Sequence, residues 1–271
     1  MRCSGMVRAG RGAGRVAGAA AAFALLACLA GTASAGDGSF DRVKANGLQV
    51  CETDGLLPYS SSDAKVPGFE VEIARALAAK LGVELKQVWV SWDGLIPALT
   101  GERCDAIING MFITPERLKV IDFSVPYYGS GETILVRKDN NAIKSLNDLK
   151  GKRTGVLAGS VTVNELEKKG IGELVVYPDQ NTIIIELNNS RIDATYLEAP
   201  SAAWALQKDP SLNIKLVKEY IPDERFDAGV GLRKGDADLK AKIDAAIAEL
   251  IKEGKVAEIL DHYGVPFFPP K

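Results

Sequence analysis

Histidine is nearly absent from this chain of 271 residues: His262 is the only one. That removes Ser-His-Asp triads, His-rich metal sites and Cys-His dyads together, since each needs an imidazole beside its partners. Cysteine is scarce as well, and four in a chain of this length do not build a disulfide scaffold. No apolar run reaches the ~20 residues that a membrane-spanning helix needs; Val16 to Ala30 spans 15. A phosphate loop is missing too, because Lys150-Gly151-Lys152-Arg153 lacks the preceding glycine and has Arg153 where Ser or Thr belongs. Acids are plentiful at 35, but no spacing singles out a catalytic pair, and they read as solvated helix faces.

What is present begins with a leader. Arg2, Arg8, Arg11 and Arg15 precede the apolar run, no acid accompanies them, and Ala33-Ser34-Ala35 follows. A basic head, an apolar centre and small residues at the end make a secretory signal peptide over residues 1–35. Cleavage after Ala35 leaves 236 residues with 29 basic and 35 acidic side chains, an exported soluble protein of net charge −6. Such an acid excess argues against nucleic acid or an anionic membrane as partner. A rival processing route stays open: Leu25-Leu26-Ala27-Cys28 loosely resembles a lipoprotein box, which would place a lipid anchor on Cys28. Only Cys51 and Cys104 remain after the leader, either bridged in an oxidising compartment or buried as two free thiols.

From Gly47 onward, apolar β-branched runs alternate with amphipathic stretches, the pattern of an α/β fold with mostly parallel sheets. Strands are expected at Leu48–Cys51, Leu85–Val90 and Cys104–Ile108. Phe69, Ile73, Leu77 and Leu81 recur at helical spacing with Gly82 as the C-cap, and Asp93 is expected to cap a short helix over Leu95–Thr100. One internal echo stands out: Leu99 to Ala106, with its Arg103-Cys104-Asp105-Ala106, returns 88 positions later as Leu187 to Ala194, with Arg191-Ile192-Asp193-Ala194. Two similar lobes would produce it, as would the ordinary look of a helix-turn-strand joint. The strands opened by Asp105 and Asp193 run out at Asn109-Gly110 and Leu197-Glu198. Ligands in open parallel sheets sit beyond such carboxyl ends. Pro126 to Gly131 and Pro222 to Gly229 suit crossover and hinge duty, and helices over Asp238–Ile251 and up to Tyr263 are expected to pack back on the first lobe.

The stretch Asn109 to Arg117, followed by Asp122 to Tyr128, carries the most chemistry. Thr114 can cap a helical turn that has Pro115 at its first position, which sets Arg117 just past a strand end. A guanidinium there grips a carboxylate in a planar two-bond fork, with free backbone N–H groups as further donors. The same arginine would otherwise pair with a surface acid.

This segment, together with Trp92 to Leu99, Arg191 to Ala194 and Gly231 to Asp236, resembles the family 3 extracellular solute-binding proteins of polar amino-acid ABC importers, over roughly residues 40 to 265. The resemblance implies an α/β two-lobed periplasmic-binding-protein (Venus flytrap) fold of type II with two crossover hinge segments. Residues 40–129 and 226–271 would form lobe 1 and residues 130–225 lobe 2. It further implies a periplasmic monomer that closes on an amino acid or similar small zwitterion and presents it to an inner-membrane permease, with no cofactor and no metal. By position, Arg117 grips the ligand carboxylate, the Gly110 carbonyl accepts from its ammonium, and Trp92 and Leu56 form walls. Ser160, Val161 and Thr162 lie on a loop whose backbone donates to the carboxylate, and Glu198 stands where an aspartate receives the ammonium.

Departures from the family pattern shape the pocket. Phe112 and Val161 replace hydroxyl residues, Thr53 stands at a frequent aspartate position, and Leu157 is apolar where some members carry lysine, so the pocket reads as greasier than one for a basic amino acid. Phe112, Trp92 and Tyr196 would alternatively cage an alkylated amine, whereas Trp89 reads as core packing. Two rival functions accompany the importer reading. The fold resembles that of cyclohexadienyl dehydratase, in which a residue like Glu198 would be a general acid. Val50 to Asp54, Pro58 to Ser60 and Cys104-Asp105 are similar to accessory proteins of quinoprotein methanol dehydrogenases.

Overall fold

The computed structural model describes residues 36–222 and 225–270. The leader, its cleavage site and Cys28 lie outside the described residues, as do two residues of the Pro222 to Gly229 segment. The first part of the described chain runs through α1 (Ser39–Asn46), β1 (Leu48–Glu52), α2 (Phe69–Leu81), β2 (Leu85–Trp89), α3 (Leu95–Thr100), β3 (Ala106–Ile107), α4 (Pro115–Leu118), β4 (Asp122–Phe123) and β5 (Tyr128–Ser130). There follow β6 (Glu132–Arg137), β7 (Thr154–Leu157), α5 (Val161–Lys168), β8 (Leu174–Tyr177), α6 (Gln180–Asn188), β9 (Ala194–Glu198), α7 (Ala199–Lys208) and β10 (Ile214–Leu216). The chain closes with β11 (Phe226–Ala228), β12 (Gly231–Leu232), α8 (Ala237–Lys252) and α9 (Lys255–His262).

Helix α2 shows why these stretches fold as they do. Phe69, Ile73 and Leu77 fall on one face at helical spacing and are fully buried, each contributing roughly 1.5–3 kcal/mol by leaving water. Gly82 ends the helix in the left-handed conformation, and its N–H donates to the carbonyls of Ala78 and Ala79. Helices α8 and α9 return to this face. Tyr263, just past α9, accepts from the Gly68 N–H at 3.1 Å and donates to Glu72 at 2.8 Å.

Two five-stranded sheets result, in the orders β2-β1-β3-β12-β4 and β8-β7-β9-β6-β10. In each, the first three strands pair in parallel and the last two antiparallel. The expectation of mostly parallel sheets is thus corrected to half. Strands β6 and β12 are entered directly from β5 and β11 rather than through a crossover helix, so they run against their neighbours. Strands β5 and β11 themselves pair antiparallel, Tyr128 opposite Ala228 and Ser130 opposite Phe226, where the chain crosses between the two sheets twice.

The sequence echo is a structural repeat. Asp105 accepts the Gln49 N–H while its own N–H donates to the Gln49 carbonyl. Asp193 makes the same pair of bonds with Arg153. Glu102 and Ser190, again 88 positions apart, are the non-glycine residues with positive φ, at 59° and 63°, among the described residues. The same left-handed turn therefore ends α3 and α6 and starts β3 and β9.

Three other expectations are corrected. A 3₁₀ turn at Trp92–Gly94 precedes α3, so Gly94 holds the N-cap position and the Asp93 carboxylate accepts from the Ser91 hydroxyl instead of capping the helix. Of Cys104–Ile108, only Ala106–Ile107 enters the ladder. Trp89 is half-buried at the end of an edge strand, outside the core cluster. The two open alternatives for Cys51 and Cys104 resolve to a disulfide, with Cα atoms 5.7 Å apart.

Candidate functional site

Beyond β3 the chain turns at Gly110, whose φ is +68°. A Cβ there would stand 2.6 Å from the Tyr59 ring, so both the backbone conformation and the space require glycine. Below the turn lies buried Glu70, which accepts from the hydroxyls of Tyr127 at 2.7 Å and Tyr128 at 2.9 Å. Burial pushes its carboxyl up to about 7, against the bonds from the two tyrosines and the Gly110 N–H. Asn109 accepts from the Thr53 N–H at 3.2 Å and from the Ser60 hydroxyl at 2.5 Å, tying the ends of β1 and β3 together.

Thr114 N-caps α4 as expected, its hydroxyl accepting from the Arg117 N–H at 3.2 Å with Pro115 at the first helical position. Arg117 is buried at 9 % exposure. Its guanidinium donates to the Phe112 carbonyl at 2.8 Å and to the Gly159 carbonyl at 3.5 Å, and lies 5.8 Å from the Trp92 ring centre. It forms no ion pair with an acid of the described residues, and burial lowers its pKa to about 10, opposed by the charges of Glu198 and Glu132.

The second sheet supplies the facing wall. Gly159 packs on Asp93 and Trp92, and Ser160 precedes α5, whose first turn leaves backbone N–H groups without helical partners. Glu198 ends β9 and is half-buried; burial raises its carboxyl above the ordinary range, with Arg117 pulling the other way. A narrow gap, too tight to admit a water molecule, lies among Leu56, Tyr59, Trp92, Asn109, Gly110, Leu157 and Glu198. A separate cavity of about 670 Å³ has Arg117, Gly159, Ser160, Val161 and Phe226 in its walls. Asn181 donates to the Gly55 carbonyl at 3.3 Å and Lys168 stands 3.6 Å from Glu116, so the two sides are in contact around the cleft.

Of the residues singled out in the sequence, Arg117, Ser160 and Val161 line the larger cavity, and Leu56, Trp92, Gly110 and Glu198 line the narrow gap. Thr162 turns its hydroxyl to Ser160 at 2.6 Å, and the Ser160 hydroxyl donates to the Leu157 carbonyl. Phe112 offers its carbonyl to Arg117, whereas its ring stacks on Phe226 at 5.3 Å beside the hinge strands. Tyr196 pairs with Tyr220, and its hydroxyl meets Glu165. Phe112, Trp92 and Tyr196 therefore form no ring pairs with one another among the described residues, and the aromatic cage is corrected. The Thr53 hydroxyl is buried with no hydrogen-bond partner among the described residues. Sequence reasoning does not reach Tyr59, Glu70 or Glu132. For Glu132 the one local signal is an acid at the head of an apolar strand, and its place opposite Glu198 depends on sheet pairing.

Two five-stranded sheets joined by a double crossover, with a cleft at their strand ends, define the fold of a two-lobed binding protein. The model of the bacterial extracellular solute-binding proteins, family 3, matches residues 48–266, and the chain belongs to that family. The L-cystine-binding protein TcyJ of Escherichia coli is 36% identical over 247 residues, 89% of this chain and 92% of that protein. The L-arginine-binding protein of Pseudomonas aeruginosa is 33% identical over 216 residues, 76% of this chain and 83% of that one. Among solved structures, a mutant arginine-binding protein from T. maritima superposes with a TM-score of 0.77 at 33% identity, covering 83% of this chain and 99% of that one. An ancestral amino acid-binding protein described as a precursor of cyclohexadienyl dehydratase gives 0.74 at 31% identity, covering 83% and 98%.

Proposed function

We propose that this protein captures an amino acid or similar small zwitterion in the cleft and delivers it to the permease of an ABC importer. The observation that carries this reading is Arg117: a buried guanidinium bonded only to carbonyls, with Glu198 facing it from the other sheet. A ligand carboxylate completes the guanidinium fork and takes the free N–H groups at the start of α5. The ligand ammonium then meets Glu198 and the Gly110 carbonyl, with Trp92 and Leu56 as walls. Ser160, Val161 and Thr162 move with residues 130–225, which we take as the lobe that swings about β5 and β11. We place the mature monomer in the periplasm after cleavage at Ala35, the anchored form at Cys28 being the alternative.

Binding rather than catalysis is favoured because the relatives that span most of the chain are named as binding proteins. Incubation with prephenate should therefore give no product absorbance. Arg117→Ala should lower affinity by about 2–5 kcal/mol, because closure would then bury a carboxylate without its partner. Calorimetry across an amino-acid panel reads this directly, and unchanged affinity in the variant removes Arg117 from the site.

A further inference from the structure

Glu70 lines neither the narrow gap nor the larger cavity, and it has no part in the reading above. It is the second residue of α2 and has no exposure. A carboxyl taken wholly out of water persists where donors converge on it, and three do. The Tyr127 and Tyr128 hydroxyls reach its two oxygens at 2.7 and 2.9 Å, and the Gly110 N–H also donates to it. Tyr128 is the first residue of the hinge strand β5, whereas Gly110 forms the turn whose carbonyl we assign to the ligand ammonium. One carboxyl therefore holds the ligand turn and the hinge at once. The Glu70 N–H donates to the Tyr59 carbonyl at 2.9 Å, and the Tyr59 ring is the surface against which Gly110 packs.

The residues just past the turn are tied to the other hinge strand by main-chain bonds. Ile113 donates to the Asp227 carbonyl at 2.9 Å, Gly229 donates to the Met111 carbonyl at 3.2 Å, and Phe112 forms a bridge with Ala228. Phe112 in turn gives its carbonyl to Arg117. Ala228 is also the residue opposite Tyr128 in the pairing of β5 with β11. Both ties of the ligand turn thus end on one rung of the hinge. The hydrogen bonds to β11 run through backbone and survive any substitution of a side chain; the link to β5 runs through the Glu70 carboxyl.

We propose that Glu70 is a positioning residue that couples the ligand turn to hinge strand β5, so that lobe closure and presentation of the Gly110 carbonyl occur together. Coupling between two sites requires a physical element whose arrangement both of them bias. Glu70 is placed to be that element: closure turns β5 and carries the Tyr128 hydroxyl with it, and ligand capture fixes the turn at Gly110. Without the carboxyl, the Tyr128 hydroxyl and the Gly110 N–H lose their common acceptor, and the turn keeps its bonds to β11 only. Every ligand contact is still present, yet closure no longer orders the turn that meets the ammonium. The loss then falls on the lifetime of the complex rather than on the rate of encounter.

The inference rests on the reading of the chain as an amino-acid binder, and its test separates the two. The exported chain is compared with its Glu70→Leu, Glu70→Gln and Tyr128→Phe variants and with the Glu70→Leu, Tyr128→Phe double variant. Calorimetry with the twenty common L-amino acids gives affinity, stopped-flow tryptophan fluorescence gives dissociation, and small-angle X-ray scattering gives the radius of gyration with and without the tightest-binding probe. Tyr263→Phe is the control, since that hydroxyl anchors the start of α2 through Gly68 and Glu72 without reaching the turn. Glu70→Leu and Tyr128→Phe should each weaken binding by about tenfold, through faster dissociation, and should enlarge the ligand-free radius of gyration. Glu70→Gln keeps an acceptor oxygen and should retain most of the affinity. In the Glu70→Leu background Tyr128→Phe should cost no further affinity, because the hydroxyl acts through the acid. Equal losses in both backgrounds, a loss from Tyr263→Phe as large as that from Tyr128→Phe, or weaker binding with unchanged scattering each overturns the role of Glu70. Should Glu70→Leu fail to fold, Tyr128→Phe against Tyr263→Phe carries the same decision. If the native protein binds none of the probes, the amino-acid reading is what fails. Ligand-free scattering then decides Glu70 alone, and identical profiles for native protein and Tyr128→Phe overturn its role.

Discussion

Removing the charge of Glu52 should stabilise the protein, and increasingly so as pH rises. Glu52 ends β1 with no exposure; one carboxylate oxygen accepts from the Gln87 side chain at 2.7 Å, and the other is buried without a partner among the described residues. Burial, reinforced by Glu70, pushes its carboxyl up to about 8 from an ordinary 4.5, against the Gln87 bond and Arg75. Between those two values the unfolded chain has released this proton while the folded chain still holds it. Folding therefore takes up protons, and stability falls as pH rises through this window, with the loss complete above about 8. At 1.36 kcal/mol per pH unit the shift corresponds to on the order of 3–5 kcal/mol. Glu52→Gln keeps the bond to Gln87 and cannot ionise. Urea denaturation followed by tryptophan fluorescence, with the disulfide intact, should show the two proteins converging in mild acid and the variant ahead in mild alkali. Other buried carboxyls tilt both curves alike, so the difference between the curves is the quantity to read. A difference independent of pH, or a variant less stable in alkali, refutes the reasoning.

Gly110→Ala should cost about 1–3 kcal/mol, through its left-handed φ and the Tyr59 ring 2.6 Å from the new Cβ, and should weaken ligand binding. Thermal melting reads the first effect and calorimetry the second; an unchanged protein would show that the turn relaxes freely. Replacing Cys51 and Cys104 together by serine opens a closed loop spanning 53 positions, worth about 4 kcal/mol by chain entropy. Denaturation of oxidised, reduced and doubly substituted protein should place the last two together, well below the first. Thr114→Ala removes the cap of the turn that carries Arg117 and should cost about 1 kcal/mol. Affinity should fall with it, and a stability loss with full affinity would mean that Arg117 is positioned by other contacts.

The residue order alone was sufficient for elements whose cause is local. The face of α2 and its Gly82 cap follow from spacing and from the conformational freedom of glycine, and Thr114-Pro115 marks the start of α4 for similar reasons. The joint repeated at Glu102 and Ser190 was legible as well, because a left-handed turn followed by an aspartate bonded to the next strand leaves the same letters in both sheets. Arg117 and Glu198 could be named from resemblance. What no local pattern contains is direction and pairing. Reversal of β6 and β12 depends on which strand the chain enters from the hinge, and Asp93 lost its capping role to a 3₁₀ turn set by its neighbours. The same holds for the rings of Phe112 and Tyr196, drawn away by Phe226 and Tyr220. Sequence by itself determined the α/β class and showed the echo between the two helix-turn-strand joints, because both rest on short-range periodicity or on a motif. Tertiary structure alone decided that Cys51 meets Cys104, that Glu70 braces the Gly110 turn, and that Glu132 faces Glu198. Those contacts join residues tens of positions apart, and only the closure of the sheets brings them within bonding distance.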